Sequence, residues 1–233
     1  MKISLLALFA ALLAFAVPGQ TQTQTLSTNL TRIFDGKSLE GWEGNRKVWR
    51  VADGAIVGGT LETPISKSDY LCTAEEFENF ELRASARITR TKGGRNAGVA
   101  FRSQRVPNSH EVGGYQADMG FAGNGDPIWG SLLDEFRPEP SRYPDPARPY
   151  RFLAMAARDV VDRVLRPDGW NDVVVVADGP RVQLWLNGVA TVDFVEHEKV
   201  PSTGKVCLQV HSGPPEEAWY KDISIRRVLR SSR

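Results

Sequence analysis

The chain has 233 residues, 29 Lys and Arg against 28 Asp and Glu, and only two cysteines. That charge balance excludes a nucleic-acid binder that works through a broad basic field. Two cysteines exclude a disulfide-dense scaffold or a four-thiolate zinc site. With 41% apolar residues the chain can bury a core, and its length fits one domain.

The first residues read as a leader rather than as fold. Met1-Lys2 gives a short positive start, Leu5 to Val17 is almost entirely Leu, Ala and Phe, and Ala14-Phe15-Ala16 has a small-x-small cleavage pattern. The run is too short to span a bilayer comfortably and fits a secretory signal peptide. The expectation is a signal peptide over residues 1–19, cleaved near 16–20, a flexible tail over 20–30 and a single β domain over 31–230. Export to the periplasm or the extracellular space follows from it, with no stable membrane insertion once the leader is removed. Loss of Lys2 leaves 28 positive against 28 negative charges. Export makes Cys72 and Cys207 competent to pair. The sequence leaves open whether they meet or sit apart as two buried thiols.

Downstream, short strands alternate with turns. Val48–Val51 and Ala55–Val57 flank Asp53-Gly54, a hairpin signal. Phe80 to Ile88 alternates apolar or small with polar residues, as a half-exposed strand does. Strands follow at Gly98–Arg102 and Gly114–Met119. Arg137 to Arg151 holds five prolines and four arginines, which predicts an excursion loop, since proline lacks the ladder donor. Phe152 to Leu165 has room for one short helix, with Val160, Val161, Val164 and Leu165 at helical spacing. Asp172–Val176 and Arg181–Gly188 form a hairpin about Asp178-Gly179, and the last strands are Lys205–Val210 and Tyr220–Arg226. Such spacing predicts an all-β, two-sheet antiparallel sandwich.

Alternation sorts the polar residues onto faces. Gln116 and Asp118 point together on one strand, as do Cys207, Gln209 and His211 on another. Arg102 opposes Val99 and Phe101. If these faces coincide, Arg102, Gln116, Asp118, Gln209 and His211 line one concave surface. An ordinary solvated sheet face shows the same alternation, so pattern alone leaves both readings open. No Gly-x-Ser-x-Gly elbow and no paired-His metal motif is present. Trp185 falls on the polar side of its strand, where its ring either stacks on a sugar or is covered by a neighbouring element.

The ordered blocks Ile33–Trp42, Trp49–Gly54, Phe80–Arg83, Asn96–Arg102, Gly114–Asp118, Gly130–Glu135, Gly169–Asp172, Trp185–Gly188 and Leu208–Gly213 resemble the 3-keto-disaccharide hydrolase family, formerly DUF1080 and also described as 3-keto-glucoside 1,2-lyase/3-keto-2-hydroxy-glucal hydratase. The resemblance covers about residues 32–228. It implies a concanavalin A/laminin G-like jelly roll with a sugar site on its concave face. The family's polar positions map onto Asn96, Arg102, Gln116, Asp118, Glu135, Gln209 and His211. Leu133 and Val210 stand where members often carry an aromatic and an acidic residue.

The implied chemistry is removal of the C2 proton next to a C3 ketone, followed by loss of the C1 substituent and rehydration. His211 is the expected base or acid, Glu135 or Asp118 its partner, and Arg102 the anion stabiliser. A divalent ion held by the carboxylates is an alternative stabiliser. Asn96, Gln116, Gln209 and Trp185 are the expected sugar contacts. The implied ligand is a small carbohydrate, a 3-keto-glycoside, and no nicotinamide is required. The competing reading is a carbohydrate-binding module without turnover, because a sandwich fold does not fix function.

Overall fold

The computed structural model describes residues 29–90, 96–135 and 150–228. The expected leader, nearly all of the expected tail and most of the proline-rich segment lie outside the described residues. In chain order the elements are β1 (Thr31–Arg32), β2 (Trp42–Glu43), β3 (Trp49–Ala52), β4 (Ala55–Thr60), β5 (Asp69–Phe77), β6 (Phe80–Arg90), β7 (Asn96–Arg105) and β8 (Val112–Gly120). Then come β9 (Leu132–Glu135), β10 (Tyr150–Ala154), α1 (Arg158–Val164), β11 (Asn171–Asp178), β12 (Arg181–Leu186), β13 (Val189–Val195), β14 (Gly204–Val210) and β15 (Glu216–Arg227). The expected single short helix is α1. Arg151, expected in the loop, belongs instead to strand β10.

The strands form two antiparallel sheets. One is eight-stranded, in the order β13-β12-β11-β6-β15-β4-β3, with β1 beside β15. The other is seven-stranded, in the order β10-β9-β8-β7-β14-β5-β2. Turn chemistry sets two of the hairpins. Asp53 and Gly54 have φ of 49° and 72°, and Asn187 and Gly188 have 49° and 83°. Two successive positive φ angles make the turn whose twist matches antiparallel strands, and Asp-Gly and Asn-Gly tolerate them best. The second of these turns ends the expected strand Arg181–Gly188 at Leu186, and β13 follows as a strand that the sequence reading did not place.

The core lies between the sheets. Val173, Val175 and Ala177 of β11 and Val182, Leu184 and Leu186 of β12 are buried from one side. Val99, Phe101, Tyr115, Ala117, Met119, Leu208 and Val210 are buried in the same cluster from the other sheet. Each fully buried aliphatic or aromatic side chain contributes about 1.5–3 kcal/mol. The residues between them in sequence, on β7, β8, β14 and β5, therefore face away from the core. This outer face of the seven-stranded sheet is where the polar motif residues stand.

Cys72 and Cys207 sit directly opposite each other on β5 and β14, with Cα atoms 4.0 Å apart, and are joined by a disulfide. Both point to the outer face. The pairing that the sequence left open is thus decided by register.

The disulfide closes a loop across a sequence separation of 135 residues. Opening a loop of that length costs about 2–5 kcal/mol of stability. The double variant Cys72→Ala/Cys207→Ala should lose that amount in a urea titration, with a larger m-value because the uncrosslinked unfolded chain exposes more surface.

Candidate functional site

Register sets the floor of the site. Tyr70, Gln209, Gly98 and Asp118 are successive partners across β5, β14, β7 and β8. The next row is Cys72, Cys207, Ala100, Gln116 and Leu133. Glu135 is opposite Gly114 on β9. Directly opposed residues of antiparallel strands point to the same side, so these side chains share one face. His211 follows Val210 at the end of β14 and falls beside Asn96, because Val210 is opposite Ala97.

Glycine at position 98 has a specific role. A Cβ there would lie 2.3 Å from the Gln116 side chain, so its absence lets Gln116 lean across β7 toward β14. A relay results. Gln116 Nε2 donates to Gln209 Oε1 at 3.2 Å, Gln209 Nε2 donates to the Tyr70 hydroxyl at 2.5 Å, and that hydroxyl donates to Glu135 Oε1 at 3.3 Å.

The roof comes from the β7–β8 hairpin. Its ladder shifts register between Phe101 and Gln104, and Arg102 sits there with φ of 49°. Beyond this bulge the hairpin end folds over the outer face. Val112 packs on Tyr70, Ala100 and the two cysteines. Arg105 Nη2 donates to the backbone oxygens of Tyr70 at 2.8 Å and Glu43 at 3.2 Å. Glu111 hydrogen-bonds the Tyr70 hydroxyl.

The same bulge corrects the expectation for Arg102. Strict alternation puts it on the site face beside Ala100. A left-handed residue in a bulge re-aims the side chain. The guanidinium instead donates to Glu78 O at 2.9 Å, Gly179 O at 2.8 Å and Asn79 Oδ1 at 3.3 Å, tying together the β5–β6 and β11–β12 turns. Arg102 is a structural clamp away from the other motif residues. Trp185 is also elsewhere: it is half-buried on β12 of the eight-stranded sheet, opposite Val174. The structure brings together Gln116, Asp118, Glu135, Gln209, His211 and Asn96.

Two residues of the cluster carry no signal in the sequence reading, Tyr70 and Glu111. Tyr70 is two positions from Cys72, so an assumed disulfide with Cys207 would have placed it on the face of Gln209. Glu111 stands in a polar connection with no periodicity, and only the hairpin's bend delivers it.

Among the described residues, no lysine or arginine bonds Asp118 or Glu135. Burial pushes the Asp118 carboxyl up to about 8, against the hydrogen bonds of the Met119 amide and Gln116. Burial, and then the negative charges of Asp118 and Glu111, push Glu135 up to about 8. Burial also raises Glu111, and burial with the charges of Glu135 and Glu111 raises the Tyr70 phenol. The Tyr70 hydroxyl bonds both Glu135 and Glu111, which brings two carboxyls onto one phenol.

His211 has a defined tautomer. Its Nδ1 is 2.6 Å from the Ser212 carbonyl oxygen, which can only accept. Nδ1 therefore carries the proton, and the neutral ring offers a lone pair at Nε2. Asn96 Oδ1 and Gln116 Oε1 are buried acceptors without a hydrogen-bond partner among the described residues. Among the described residues no group of three or more His, Cys, Asp or Glu side chains is arranged to hold a metal ion. The divalent ion allowed by the sequence has no ligand set there, and no chemical step is drawn through one.

Residues 29–226 match the 3-keto-alpha-glucoside-1,2-lyase-like domain. The chain belongs to this family. Within the 3-keto-alpha-glucoside-1,2-lyase-like family, a 3-keto-disaccharide hydrolase of Bacteroides thetaiotaomicron is 34% identical over 89 residues. That stretch is 35% of this chain and 30% of the relative. A proposed glycosyl hydrolase of Parabacteroides distasonis superposes with a TM-score of 0.61 at 20% identity, covering 86% of this chain and all of that one. The carbohydrate-binding module CBM66 of Bacillus subtilis superposes at 0.56 with 15% identity, over 80% of this chain and 95% of the module. The last two similarities establish the lectin-like sandwich fold.

The raised carboxyls have a consequence for stability. Asp118 ionises near 3.8 when unfolded and near 8 when folded. From about pH 4 upward the unfolded state loses its proton and the folded state keeps it, so this contribution to stability is full below pH 4 and is lost progressively up to about pH 8. Asp118→Asn removes the loss. Its thermal midpoint should exceed that of the wild type by more at pH 8 than at pH 5, as measured by calorimetry.

Proposed function

We propose that the chain cleaves 3-keto-glycosides, eliminating the C1 substituent after proton abstraction at C2. The observation that supports this best is that His211, Asp118 and Glu135 stand on one sheet face, with burial keeping the two carboxyls protonated at neutral pH. Family membership supplies the substrate class.

The side chains divide the work as follows. His211 Nε2 takes the C2 proton, and the electron pair moves onto the C3 oxygen. Protonated Asp118 donates a hydrogen bond to that developing oxyanion, the role a neutral buried carboxylic acid fills in other sites. The C1–O bond then breaks and Glu135 gives its proton to the departing oxygen. A double bond is left between C1 and C2, conjugated with the ketone. Water adding back across it completes a net hydrolysis. Asn96 and Gln116, with unpaired buried oxygens, accept from sugar hydroxyls. The non-oxidised parent sugar lacks the ketone, so its C2 proton is not acidic.

We place the reaction outside the cytoplasm. The leader-like residues 1–19 and the Cys72–Cys207 disulfide both suit an oxidising compartment.

Incubation of the purified protein with a 3-keto-glucoside and its non-oxidised parent should release sugar only from the former. His211→Ala and Glu135→Gln should each lower kcat by about 100-fold or more. Because Glu135 and Asp118 must both be protonated, kcat/KM should fall as pH rises through about 8, and the residual activity of Asp118→Asn/Glu135→Gln should lose that limb. Equal inertness toward both sugars, with binding retained, would make the protein a binding module instead.

A further inference from the structure

A second opening adjoins the carboxyl cluster. One groove of about 450 Å³ is lined in part by Asn45, Asp69, Tyr70, Arg105 and His110. Another, of about 510 Å³, shares Asn45, Asp69 and His110 and continues past Lys47, Arg50 and Lys67. The two form one channel at the end of the sandwich. Tyr70 belongs to its wall and to the relay that ends on Glu135. Glu111 is bonded to Tyr70 and feels the charges of His211, His110 and Asp69, so it stands between the channel and the proposed base.

At the junction of the two grooves lies Asp69, only 9% exposed. Its Oδ1 accepts from the Trp49 indole Nε1 at 2.7 Å. A carboxylate fixed in this way presents its remaining acceptor sites to a ligand hydroxyl. The rest of the lining is basic. Arg50 is committed to Glu217 and the Gly59 carbonyl oxygen, and Arg105 to two backbone oxygens. Lys47 and Lys67 are exposed on the channel and have no ion-pair partner among the described residues. His110 is exposed where the two grooves join. The channel thus combines one fixed acceptor for hydroxyls with two uncommitted ammonium groups.

We propose that this channel is the subsite for the leaving group and that it takes an anionic sugar, one bearing a carboxylate or a sulfate ester. Its place in the reaction rests on the 3-keto-glycoside reading; its ligand chemistry rests on the channel alone. Asp69 accepts from the sugar's hydroxyls, and Lys47 and Lys67 face its negative group.

The test is a titration of the full chain, labelled with ¹⁵N-tryptophan, with glucuronate, glucose 6-sulfate and glucose. The Trp49 indole resonance reports on Asp69. At least one anion should shift it with an affinity about tenfold above that of glucose, since each exposed charge pair contributes up to about 1 kcal/mol. The tighter of the two anions identifies the charged group. Lys47→Glu/Lys67→Glu, two changes on exposed side chains, should abolish the preference. Equal affinities for all three sugars, or an anion preference that survives the double variant, would overturn the proposal.

A 3-keto-glucoside with a nitrophenyl leaving group separates the two readings, because it needs no sugar subsite. The double variant should turn it over at the wild-type rate, while losing about tenfold in kcat/KM on a 3-keto-glucosyl glucuronate. Wild-type inertness toward the nitrophenyl compound would overturn the 3-keto-glycoside reading, and the titration would still decide the anion site.

Discussion

At Arg102 the backbone takes a φ of 49° and the ladder between β7 and β8 loses register. Two consequences follow from that local choice. The guanidinium leaves the face that alternation assigns to it and is used up on two backbone oxygens and Asn79. The distal hairpin then bends over the outer face and sets Val112 on the disulfide and Glu111 on Tyr70. Among the described residues no arginine or lysine bonds Asp118 or Glu135.

The acids respond as desolvated groups must. Glu81 offers the internal comparison. It is also desolvated, but Arg83 and Arg226 bond it and hold its carboxyl below the ordinary range. Glu135 has the same chemistry and a like-charged neighbourhood, and it is pushed the other way. Burial alone therefore does not make a proton donor. Burial among like charges, as at Glu135, does.

How much of this was legible in the sequence depends on whether the strand stayed regular. Gln116, Asp118, Gln209 and His211 lie on stretches where period two holds, and alternation placed them on one face. The hairpin at Asp53-Gly54 was legible because only a few residue types accept two positive φ angles in succession. Arg102 failed because arginine gives no local signal of a left-handed conformation. Trp185 failed for a different reason: alternation tells which residues share a side of a strand but not which sheet the strand joins. Tyr70 and Glu111 escaped because their approach is tertiary, made by strand order and by the bend.

Floor and roof are held by different forces. The floor is a row of opposed strands stapled by Cys72–Cys207 and locked by Tyr220, whose hydroxyl bonds the carbonyl oxygens of Gly98 at 3.1 Å and Gln209 at 2.5 Å. These contacts fix the backbone beneath Asp118, Gln209 and the Gln116 amide. The roof rests on one apolar contact at Val112, the two Arg105 bonds and the Glu111–Tyr70 bond. A reaction that alternates between an enolate and a neutral enone needs its proton donors at fixed positions, which the floor provides. Glu111 belongs to the roof and Glu135 to the sheet below. Tyr70, bonded by both, therefore joins the roof to the proposed acid, and the negative charge of Glu111 helps to hold the Glu135 carboxyl up.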